Sequence, residues 1–288
     1  MTGHTGFKGV WLTHWLGAVG AKVIGYSKDV NKQQQKLAES ANDIVELSIR
    51  GDICDFDNLL NCINVAEPDI LFHLAAQPLV IESFNSAPET FETNVMGTIN
   101  LLECAKHVSS LRSVVIVTSD KCYQNLDTGV PFNEEDPLGG DDPYSASKAC
   151  AEIAAQSYIK SFFSCLENTI SRTSIATARA GNIIGGGDWG EHRLIPDIAR
   201  AMESGDVVQI RSPSAVRPWQ FVLDALSGYM MLGEKLYTHG GAYTGAWNFG
   251  PSKDDCWNVE EVVKAFCNDN GPPVNFERHI QEQKKEKL

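Results

Sequence analysis

The chain has 288 residues and a formal net charge of −13. This acidic balance argues against a nucleic-acid partner, because a phosphate backbone requires a basic surface. It does not exclude a small anionic ligand, since a few Arg and Lys side chains in one cleft can outweigh a distant acidic exterior. The length is enough for one large α/β domain or for a domain with a smaller appendage.

The cysteines, the histidines and the apolar runs exclude further classes of protein. The eight cysteines include no Cys-x-x-Cys pair, so we expect reduced and mostly buried thiols. No two histidines have metal-ligand spacing, so we expect no metal site. The longest apolar runs, such as SVVIVT at residues 113–118, have the length of strands, and no basic and apolar leader follows Met1. We therefore expect a cytoplasmic protein without a membrane partner.

Hydrophobic periodicity predicts helices and strands in alternation along the chain. Apolar residues recur at helical spacing from Gly6 to Val19, and Gly20 follows them as a stop signal. Similar patterns predict helices over residues 55–66, 88–107 and 144–163, and buried strands over residues 22–26, 44–49, 69–76, 113–119 and 173–182. The alternation predicts an α/β fold, a doubly wound parallel sheet with helices on both faces.

The character of the sequence changes near Gly185. The stretch GGGDWGEHRLIP is a glycine-rich loop, and several short elements follow it. We predict a dinucleotide-binding domain over residues 1–184, and over residues 185–288 a smaller substrate-binding cap with some elements that return to the first domain. The final QEQKKEKL is predicted to be a solvated end.

A glycine-rich turn opens the chain at TGHTGFKG. Its pattern of Gly3, Gly6 and Gly9 is weak evidence alone, but a predicted helix follows it directly and a predicted strand comes next. A helix N-terminus in this position suits a pyrophosphate, so the context favours a dinucleotide site. His4 and Lys8 could hold an additional phosphate or the pyrophosphate alone. The residues by themselves leave the choice between NAD and NADP open.

The strand that precedes such a turn lies at the centre of the sheet in this fold. Without it, two neighbouring strands would lose their partner and leave buried amides unsatisfied. We therefore expect further residues before Met1.

A second group of polar residues follows the predicted strand at 113–119. Among the tyrosines, only Tyr144 has a lysine four positions later, Lys148 in YSASK. On a helix this spacing puts both side chains on one face, where an ammonium group favours the phenolate. Ser119 and Asp120 lie where a parallel strand ends, which is where such sheets bind ligands.

These segments resemble one known family. TGHTGFKG, HLAAQPLV, VTSDKCY, YSASK, RAGNIIGGGDW, RLIPD and VRPWQ together are similar to the extended short-chain dehydrogenase/reductase family, in particular to its nucleotide-sugar dehydratases. The resemblance covers nearly the whole chain. It implies a Rossmann fold, NAD as the cofactor, and an NAD-dependent hydro-lyase that makes a 4-keto-6-deoxy sugar from a nucleotide sugar.

The resemblance also implies roles for particular residues. Tyr144, assisted by Ser119 and Lys148, would remove the proton of the sugar 4-hydroxyl. Lys121 would take the proton from C5 and Asp120 would protonate the departing C6 hydroxyl. The cofactor-binding positions are Gly3, His4, Gly6, Phe7, Lys8, Gly9, Asp52, Ile53, Leu74, Ala75 and Ala76, with Tyr144 and Lys148. Asn182, Arg193 and Arg217 would bind the substrate, the two arginines as diphosphate clamps.

Several alternatives accompany this interpretation. Asp52 could also be the cap of the helix that follows it. A nucleotide-sugar 4-epimerase would use the same tyrosine, lysine and NAD without an elimination, and a truncated homologue would have no activity. Phe221 stands where the family commonly has His, and family members extend beyond Leu288. The resemblance also implies a homodimer built on the helices over residues 88–107 and 144–163, and a role in deoxysugar supply for surface polysaccharide.

Overall fold

The computed structural model describes residues 1–30, 32–126, 128–163, 173–210, 212–252, 255–267 and 274–275. Its α-helices are α1 Phe7–Ala18, α2 Lys32–Asn42, α3 Phe56–Ala66, α4 Val80–Asn85, α5 Ala87–Phe91, α6 Gly97–His107, α7 Pro143–Tyr158, α8 Leu194–Ser204, α9 Val222–His239 and α10 Val259–Cys267. Its strands are β1 Ile24–Ser27, β2 Leu47–Arg50, β3 Ile70–His73, β4 Ser113–Val117, β5 Ser174–Ala180, β6 Ile183–Ile184, β7 Val208–Gln209, β8 Val216–Pro218, β9 Gln220–Phe221, β10 Gly245–Phe249, β11 Cys256–Asn258 and β12 Val274–Asn275. The predicted solvated end and Cys165 lie outside the described residues.

The main sheet is parallel and consists of two parts. One part has the order β1-β2 and the other has the order β10-β5-β4-β3. Thr2 forms a parallel bridge to Tyr26 on one side and to His73 on the other. The amide of Thr2 donates to the Phe72 carbonyl at 3.0 Å, and the amide of Gly3 donates to the Tyr26 carbonyl at 2.8 Å. The first three residues therefore lie between the two parts of the sheet and join them.

Helices cover both faces of this sheet, so the doubly wound fold is confirmed. On one face α3, α6 and α7 bury a cluster that includes Leu59, Leu101 and Ile175. On the other face α1 and α9 bury a second cluster that includes Leu12 and Leu226. The inner strands β4 and β5 are buried along their whole length, as expected for strands that are covered on both sides.

Several features of the helices were not predicted, among them a π-helical turn, Ile159–Phe163, after α7. The segment predicted as one helix over residues 88–107 is α5 and α6 with a π-helical turn, Glu92–Met96, between them. The turn buries Asn94, whose side chain bonds to Gln77 and Ser147. Helix α2 carries few apolar residues, and its strongly polar sequence gives no clear apolar stripe.

Elements beyond Gly185 fall into two groups. Helix α9 packs on the main sheet and β10 extends it beside β5. Helices α8 and α10 form a separate small core with Val208 and Ile210. The short pairs β6-β9, β8-β11 and β7-β12 complete this region. A division of the chain at residue 185 stays a prediction.

The glycine turn gives a prediction about stability. Gly9 lies in the first turn of α1, where alanine would ordinarily stabilise a helix by about 1 kcal/mol. A Cβ atom at Gly9 would lie 2.0 Å from the carbonyl oxygen of Gly3. We therefore expect Gly9→Ala to destabilise the protein by about 1–3 kcal/mol in equilibrium denaturation.

Gly241→Ala is the control for this variant, because a Cβ atom there would meet nothing within 4 Å. A stability of Gly9→Ala equal to or above that of the unchanged chain would contradict the tight packing of the turn.

Candidate active site

The glycine turn brings backbone amides to the carboxyl edge of the sheet. Gly3 has a φ of 73°, and a Cβ atom there would lie 2.6 Å from the amide nitrogen of Ala75. Helix α1 begins after Gly6 with no side-chain cap and no acidic residue in its first turn. The positive end of its dipole and its first amides are therefore suited to an anion. These features fit the pyrophosphate of a dinucleotide.

His4 supports the turn from behind. Its side chain is buried, its Nδ1 lies 2.8 Å from the Ser27 hydroxyl, and its Nε2 lies 2.9 Å from the Ser48 hydroxyl and 3.3 Å from the Asn42 amide oxygen. Burial also lowers the pKa of the imidazole. The idea that the His4 side chain holds a phosphate is therefore wrong, since both ring nitrogens bind protein groups. Its contribution is to tie the turn to β1, α2 and β2.

Lys8 extends toward the catalytic residues. Its Nζ lies 5.6 Å from the centre of the Tyr229 ring. Burial, together with the charges of Lys148 and Arg193, lowers the pKa of Lys8 to about 7. An anion placed at the glycine turn would reverse part of this effect, so Lys8 can gain a proton when such a ligand binds.

The opposite end of the candidate cofactor site has paired charges. Lys28 Nζ lies 2.8 Å from Asp52 Oδ2, and Arg50 pairs with Asp29. Asp52 also accepts a hydrogen bond from the Cys54 amide at 2.9 Å. The cap of α3 is Asp55 rather than Asp52, because Asp55 Oδ1 accepts from the Asn58 amide. The alternative that Asp52 caps this helix is therefore wrong.

Other predicted cofactor positions differ in what they can offer. The side chains of Phe7 and Ile53 are buried in the two cores, so only their backbone can face a ligand. Leu74, Ala75 and Ala76 follow β3 and lie against the turn, with the Leu74 amide donating to the Thr2 carbonyl at 3.1 Å. This segment therefore packs directly against the glycine turn.

The residues Ser119, Asp120 and Lys121 lie where β4 ends. Ser119 caps a short 3₁₀ turn, Asp120–Cys122, and accepts a hydrogen bond from the Lys121 amide at 3.2 Å. The Ser119 hydroxyl donates to Asp120 Oδ1 at 3.0 Å. The Ser119 hydroxyl also acts on the nearby Tyr144 phenol, where it favours a lower pKa. The structure thus brings the serine, the acid and the tyrosine together.

Tyr144 and Lys148 lie one turn apart at the beginning of α7. Asp142 caps this helix, and the Ser83 hydroxyl accepts from the Tyr144 amide at 3.1 Å. Lys148 Nζ lies 6.0 Å from the centre of the Tyr144 ring. The two side chains share a face, as the spacing predicted.

Burial controls the ionisation of this pair. It raises the pKa of Tyr144 to about 12, although the hydrogen bond from Ser119 and the charge of Arg193 act in the other direction. Burial likewise lowers the pKa of Lys148 to about 8. In the protein without ligands, burial therefore outweighs the groups that favour the phenolate. Additional positive charge is needed before the phenol becomes a base.

Asp120 has the properties of an acid. Burial raises the pKa of its carboxyl group, while Lys121, the Ser119 hydrogen bond and Arg217 act against burial. A Cβ atom at Gly181 would lie 2.9 Å from Asp120 Oδ2, so β5 ends close beside the carboxyl group. A carboxyl group in these surroundings keeps its proton to higher pH than an exposed one.

The predicted substrate residues lie beyond β5. Arg193 Nη1 is 3.0 Å from both carboxylate oxygens of the largely buried Asp188, so its guanidinium is held by a protein carboxylate. The charge of Arg193 acts on Tyr144 and that of Arg217 acts on Asp120. The Asn182 carbonyl accepts from the Gln220 amide at 3.0 Å. Both arginines thus approach the candidate catalytic residues.

Sequence reasoning missed residues that support these groups. Asn94 lies in the π-helical turn and donates to the Ser147 hydroxyl at 2.9 Å, which links that turn to α7. Ser83 holds the start of α7, and Tyr229 lies beneath Lys8. A buried asparagine inside an apolar helical pattern was the one available signal, since Asn is unfavourable there without a partner.

A doubly wound sheet with a glycine turn and a Tyr-x-x-x-Lys helix at one edge defines an enzyme fold of the extended short-chain dehydrogenase/reductase type. Within that class, the chain belongs to the GDP-mannose 4,6 dehydratase family, whose sequence profile matches residues 1–245.

Individual relatives agree with this placement. The chain is 48% identical over 265 residues to the CDP-glucose 4,6-dehydratase of Salmonella typhimurium, covering 91% of this chain and 73% of that protein. A double mutant of DesIV, a dTDP-glucose 4,6-dehydratase of Streptomyces venezuelae solved with NAD and DAU bound, has a similar fold. Its TM-score is 0.80 at 24% identity, covering 96% of this chain and 83% of that one.

The fold is shared with epimerases. The UDP-glucose 4-epimerase of Thermus thermophilus in complex with NAD matches with a TM-score of 0.79 at 23% identity, over 96% of this chain and 85% of that one. The fold alone therefore does not separate the two reactions. Among the helices that the structure describes, none combines the length and apolar character needed to cross a membrane.

The buried lysine gives a prediction about stability and activity together. Lys148 is 5% exposed, and its pKa of about 8 corresponds to a cost on the order of 3 kcal/mol for keeping the ammonium charged at pH 7. We expect Lys148→Met to raise the free energy of unfolding at pH 7 by about 1–3 kcal/mol while abolishing activity. Denaturation curves and turnover assays measure both effects.

The pH dependence of the stability difference tests whether the lowered pKa of Lys148 is its cause. The folded-state pKa lies below the ordinary value, so the unchanged chain gains stability from this group as pH rises from about 8 toward 10.5. The advantage of the variant should shrink over that range. Lys22→Met, at a lysine whose side chain is 85% exposed, should change neither quantity. A less stable Lys148→Met variant would contradict this assignment.

Proposed function

We propose that this chain is an NAD-dependent nucleotide-sugar 4,6-dehydratase that converts CDP-glucose to CDP-4-keto-6-deoxyglucose. The observation that carries the proposal is the adjacency of Asp120 and Lys121 at the end of β4, beside Ser119 and Tyr144. The identity of 48% to a CDP-glucose 4,6-dehydratase supports the choice of substrate.

The first step oxidises C4 of the sugar. The glycine turn with Gly3, Gly6 and Gly9 would hold NAD, which would supply the hydride acceptor for C4 and the hydride donor for C6. Tyr144 takes the proton of the 4-hydroxyl, and the Ser119 hydroxyl orients the phenol. The positive charges of Lys148 and Arg193 stabilise the phenolate against the burial that opposes its formation.

The second step eliminates water across C5 and C6. The ketone at C4 acidifies the proton on C5, and Lys121 removes it. Asp120 protonates the C6 hydroxyl, which departs as water, and its raised pKa keeps that proton available. Lys121 would then return a proton to C5, and the hydride that bound NAD would supply to C6 would complete the 4-keto-6-deoxy sugar.

Charge pairing at the ends of β1 and β2 supports NAD over NADP. Lys28 and Arg50 are the cations at that edge, and each is paired with a carboxylate. A 2′-phosphate would have to compete with Asp52 and Asp29 for them, whereas a ribose hydroxyl can donate to a carboxylate.

A 4-epimerase is the second candidate, favoured by the fold shared with the Thermus thermophilus epimerase. Epimerisation at C4 requires the tyrosine but neither an acid at C6 nor a base at C5. The buried Asp120 would have no role in that reaction, so its position favours the dehydratase.

Variants at these residues test the reaction. With CDP-glucose and NAD, the unchanged chain should release a 4-keto-6-deoxy product, measured by its absorbance in alkali. Asp120→Asn and Lys121→Met should lose product by at least about 10²-fold while reduced nicotinamide still accumulates, because oxidation at C4 precedes their step. Tyr144→Phe should show neither signal.

Lys22→Met is the control, since the Lys22 side chain is 85% exposed. Full activity of Asp120→Asn, or a product that is only the C4 epimer, would contradict the dehydratase.

We further propose a cytoplasmic homodimer that supplies deoxysugar for surface polysaccharide such as O-antigen. Large apolar side chains are exposed on α7 and on the helical segments next to it, namely Phe84, Phe91, Met96, Ile153 and Phe162. Contact with a second copy would remove these side chains from water.

Disruption of this surface should change the oligomeric state. Ile153 lies on α7 and is 55% exposed, so Ile153→Arg would place a charge within the proposed contact. We expect a dimer for the unchanged chain and a monomer for this variant in sedimentation velocity. Val65→Arg, at a similarly exposed position on α3, should remain dimeric. A monomeric unchanged chain would contradict the proposal.

A further inference from the structure

A fully buried ion pair lies directly behind the candidate catalytic residues. Arg179 Nη2 donates to Glu152 Oε2 at 2.7 Å, and both side chains are 0% exposed. Glu152 lies in α7, one helical turn after Lys148, and Arg179 lies near the end of β5. None of the steps assigned above uses either residue.

The carboxylate of Glu152 holds the ends of two strands. The Thr177 hydroxyl of β5 donates to Glu152 Oε2 at 2.8 Å, and the Thr118 hydroxyl donates to Glu152 Oε1. Thr118 directly precedes Ser119. The position of the Ser119 backbone therefore depends on a hydrogen bond to α7, the helix that carries Tyr144.

The guanidinium of Arg179 holds the next part of the same turn. Its Nη1 donates to the Tyr123 phenol oxygen at 2.7 Å, and Tyr123 in turn donates to Asn248 Oδ1 at 2.7 Å. The Tyr123 amide donates to the Asp120 carbonyl at 3.3 Å, which closes the 3₁₀ turn. One ion pair thus connects α7 with the turn that carries Asp120 and Lys121.

The same carboxylate affects the charge of Lys148. Burial lowers the pKa of Lys148, and the Glu152 carboxylate acts in the opposite direction. The other titratable groups that face Lys148 are Lys8 of α1, His73 of β3 and the phenol of Tyr144. Lys8 and His73 favour the neutral amine if they are charged, so Glu152 is the carboxylate that opposes them.

The ion pair is poorly explained by stability alone. Burying two charges costs about as much as their attraction returns, and an apolar pair of similar volume is often as stable. The Nε of Arg179 is moreover buried with no hydrogen-bond partner among the described residues. An unpaired buried donor adds a further cost. A role in the reaction accounts for a pair that packing alone would not favour.

We propose that Glu152, paired with Arg179, is a positioning residue that keeps Lys148 charged and fixes the turn from Ser119 to Lys121. This inference rests on the proposed function, because it assumes that Lys148 and Tyr144 act in the reaction. Glu152 acts through Lys148 and the turn, and it does not touch the substrate.

Glu152→Gln tests the role of the charge while preserving the shape of the side chain. Lys148 must be protonated to stabilise the phenolate, so activity falls as pH rises through the pKa of Lys148. Without the carboxylate that pKa decreases, and the basic limb of the kcat/KM profile should move down by about one pH unit. At pH 8 the protonated fraction of Lys148 would then fall from about one half to about one tenth, so the expected loss of kcat/KM is about fivefold.

Two control variants separate this role from a merely structural one. Thr177→Val removes one hydrogen bond to the same carboxylate without changing its charge, so its basic limb should stay in place. Glu152→Asp restores the charge and should return the limb toward its original position. An unshifted limb in Glu152→Gln would overturn the proposal.

Folding defects do not prevent the test. Glu152→Gln leaves Arg179 buried without its counter-ion, which can unfold the chain, whereas Glu152→Gln with Arg179→Met removes both charges. The double variant should also show the lowered limb, and an unshifted limb there would overturn the proposal. Activity retained by Lys148→Met would instead refute the proposed function itself, together with the inference that depends on it.

Discussion

The close approach of the glycine turn to the segment after β3 is the constraint on which the rest of the site depends. Gly3 has a positive φ and lies so near Ala75 that a Cβ atom would come within 2.6 Å of the Ala75 amide. Met1, Thr2 and Gly3 carry the hydrogen bonds that join β1 to β3. A side chain at Gly3 would thus push apart the two parts of the sheet and displace the turn that is the candidate pyrophosphate site.

Burial is the common cause of the electrostatic properties of the site. It raises the pKa of Tyr144 and of Asp120 and lowers the pKa of Lys148 and of Lys8. All four groups are therefore biased toward their neutral forms before any ligand binds. This bias suits the acid role proposed for Asp120, whereas the base role proposed for Tyr144 would require the surrounding cations. In the proposed mechanism, binding of the cofactor and an anionic substrate would change the charges of these groups.

Much of the fold followed from the sequence because the signals were local. The apolar runs over residues 69–76 and 113–119 predicted β3 and β4, since buried parallel strands are apolar along their length. The candidate catalytic residues were chosen for their places at strand ends and on one helix face, and the structure brings Ser119, Asp120 and Tyr144 close together. The π-helical turn at Asn94 did not, because an altered hydrogen-bond register leaves the apolar pattern nearly unchanged.

Polar contacts between residues that are distant in the sequence could not be predicted either. Nothing near Arg193 indicated that Asp188 would hold its guanidinium, and nothing near His4 indicated three polar partners from β1, α2 and β2. Glutamate is rarely fully buried, so there was no reason in the sequence to place Glu152 in the interior, where its partners lie just after β4 and on β5. Such contacts depend on how distant segments meet in three dimensions, which residue spacing does not record.

The most direct test of the account follows one hydrogen atom through the reaction. CDP-glucose that carries deuterium at C4 is incubated with the chain and NAD, and the position of the label in the product is determined by NMR. The dehydratase mechanism predicts a 4-keto-6-deoxy sugar with deuterium at C6, because the hydride removed from C4 is returned to C6. A sugar that keeps its C6 hydroxyl and carries the label at C4 with inverted configuration would contradict it and identify an epimerase.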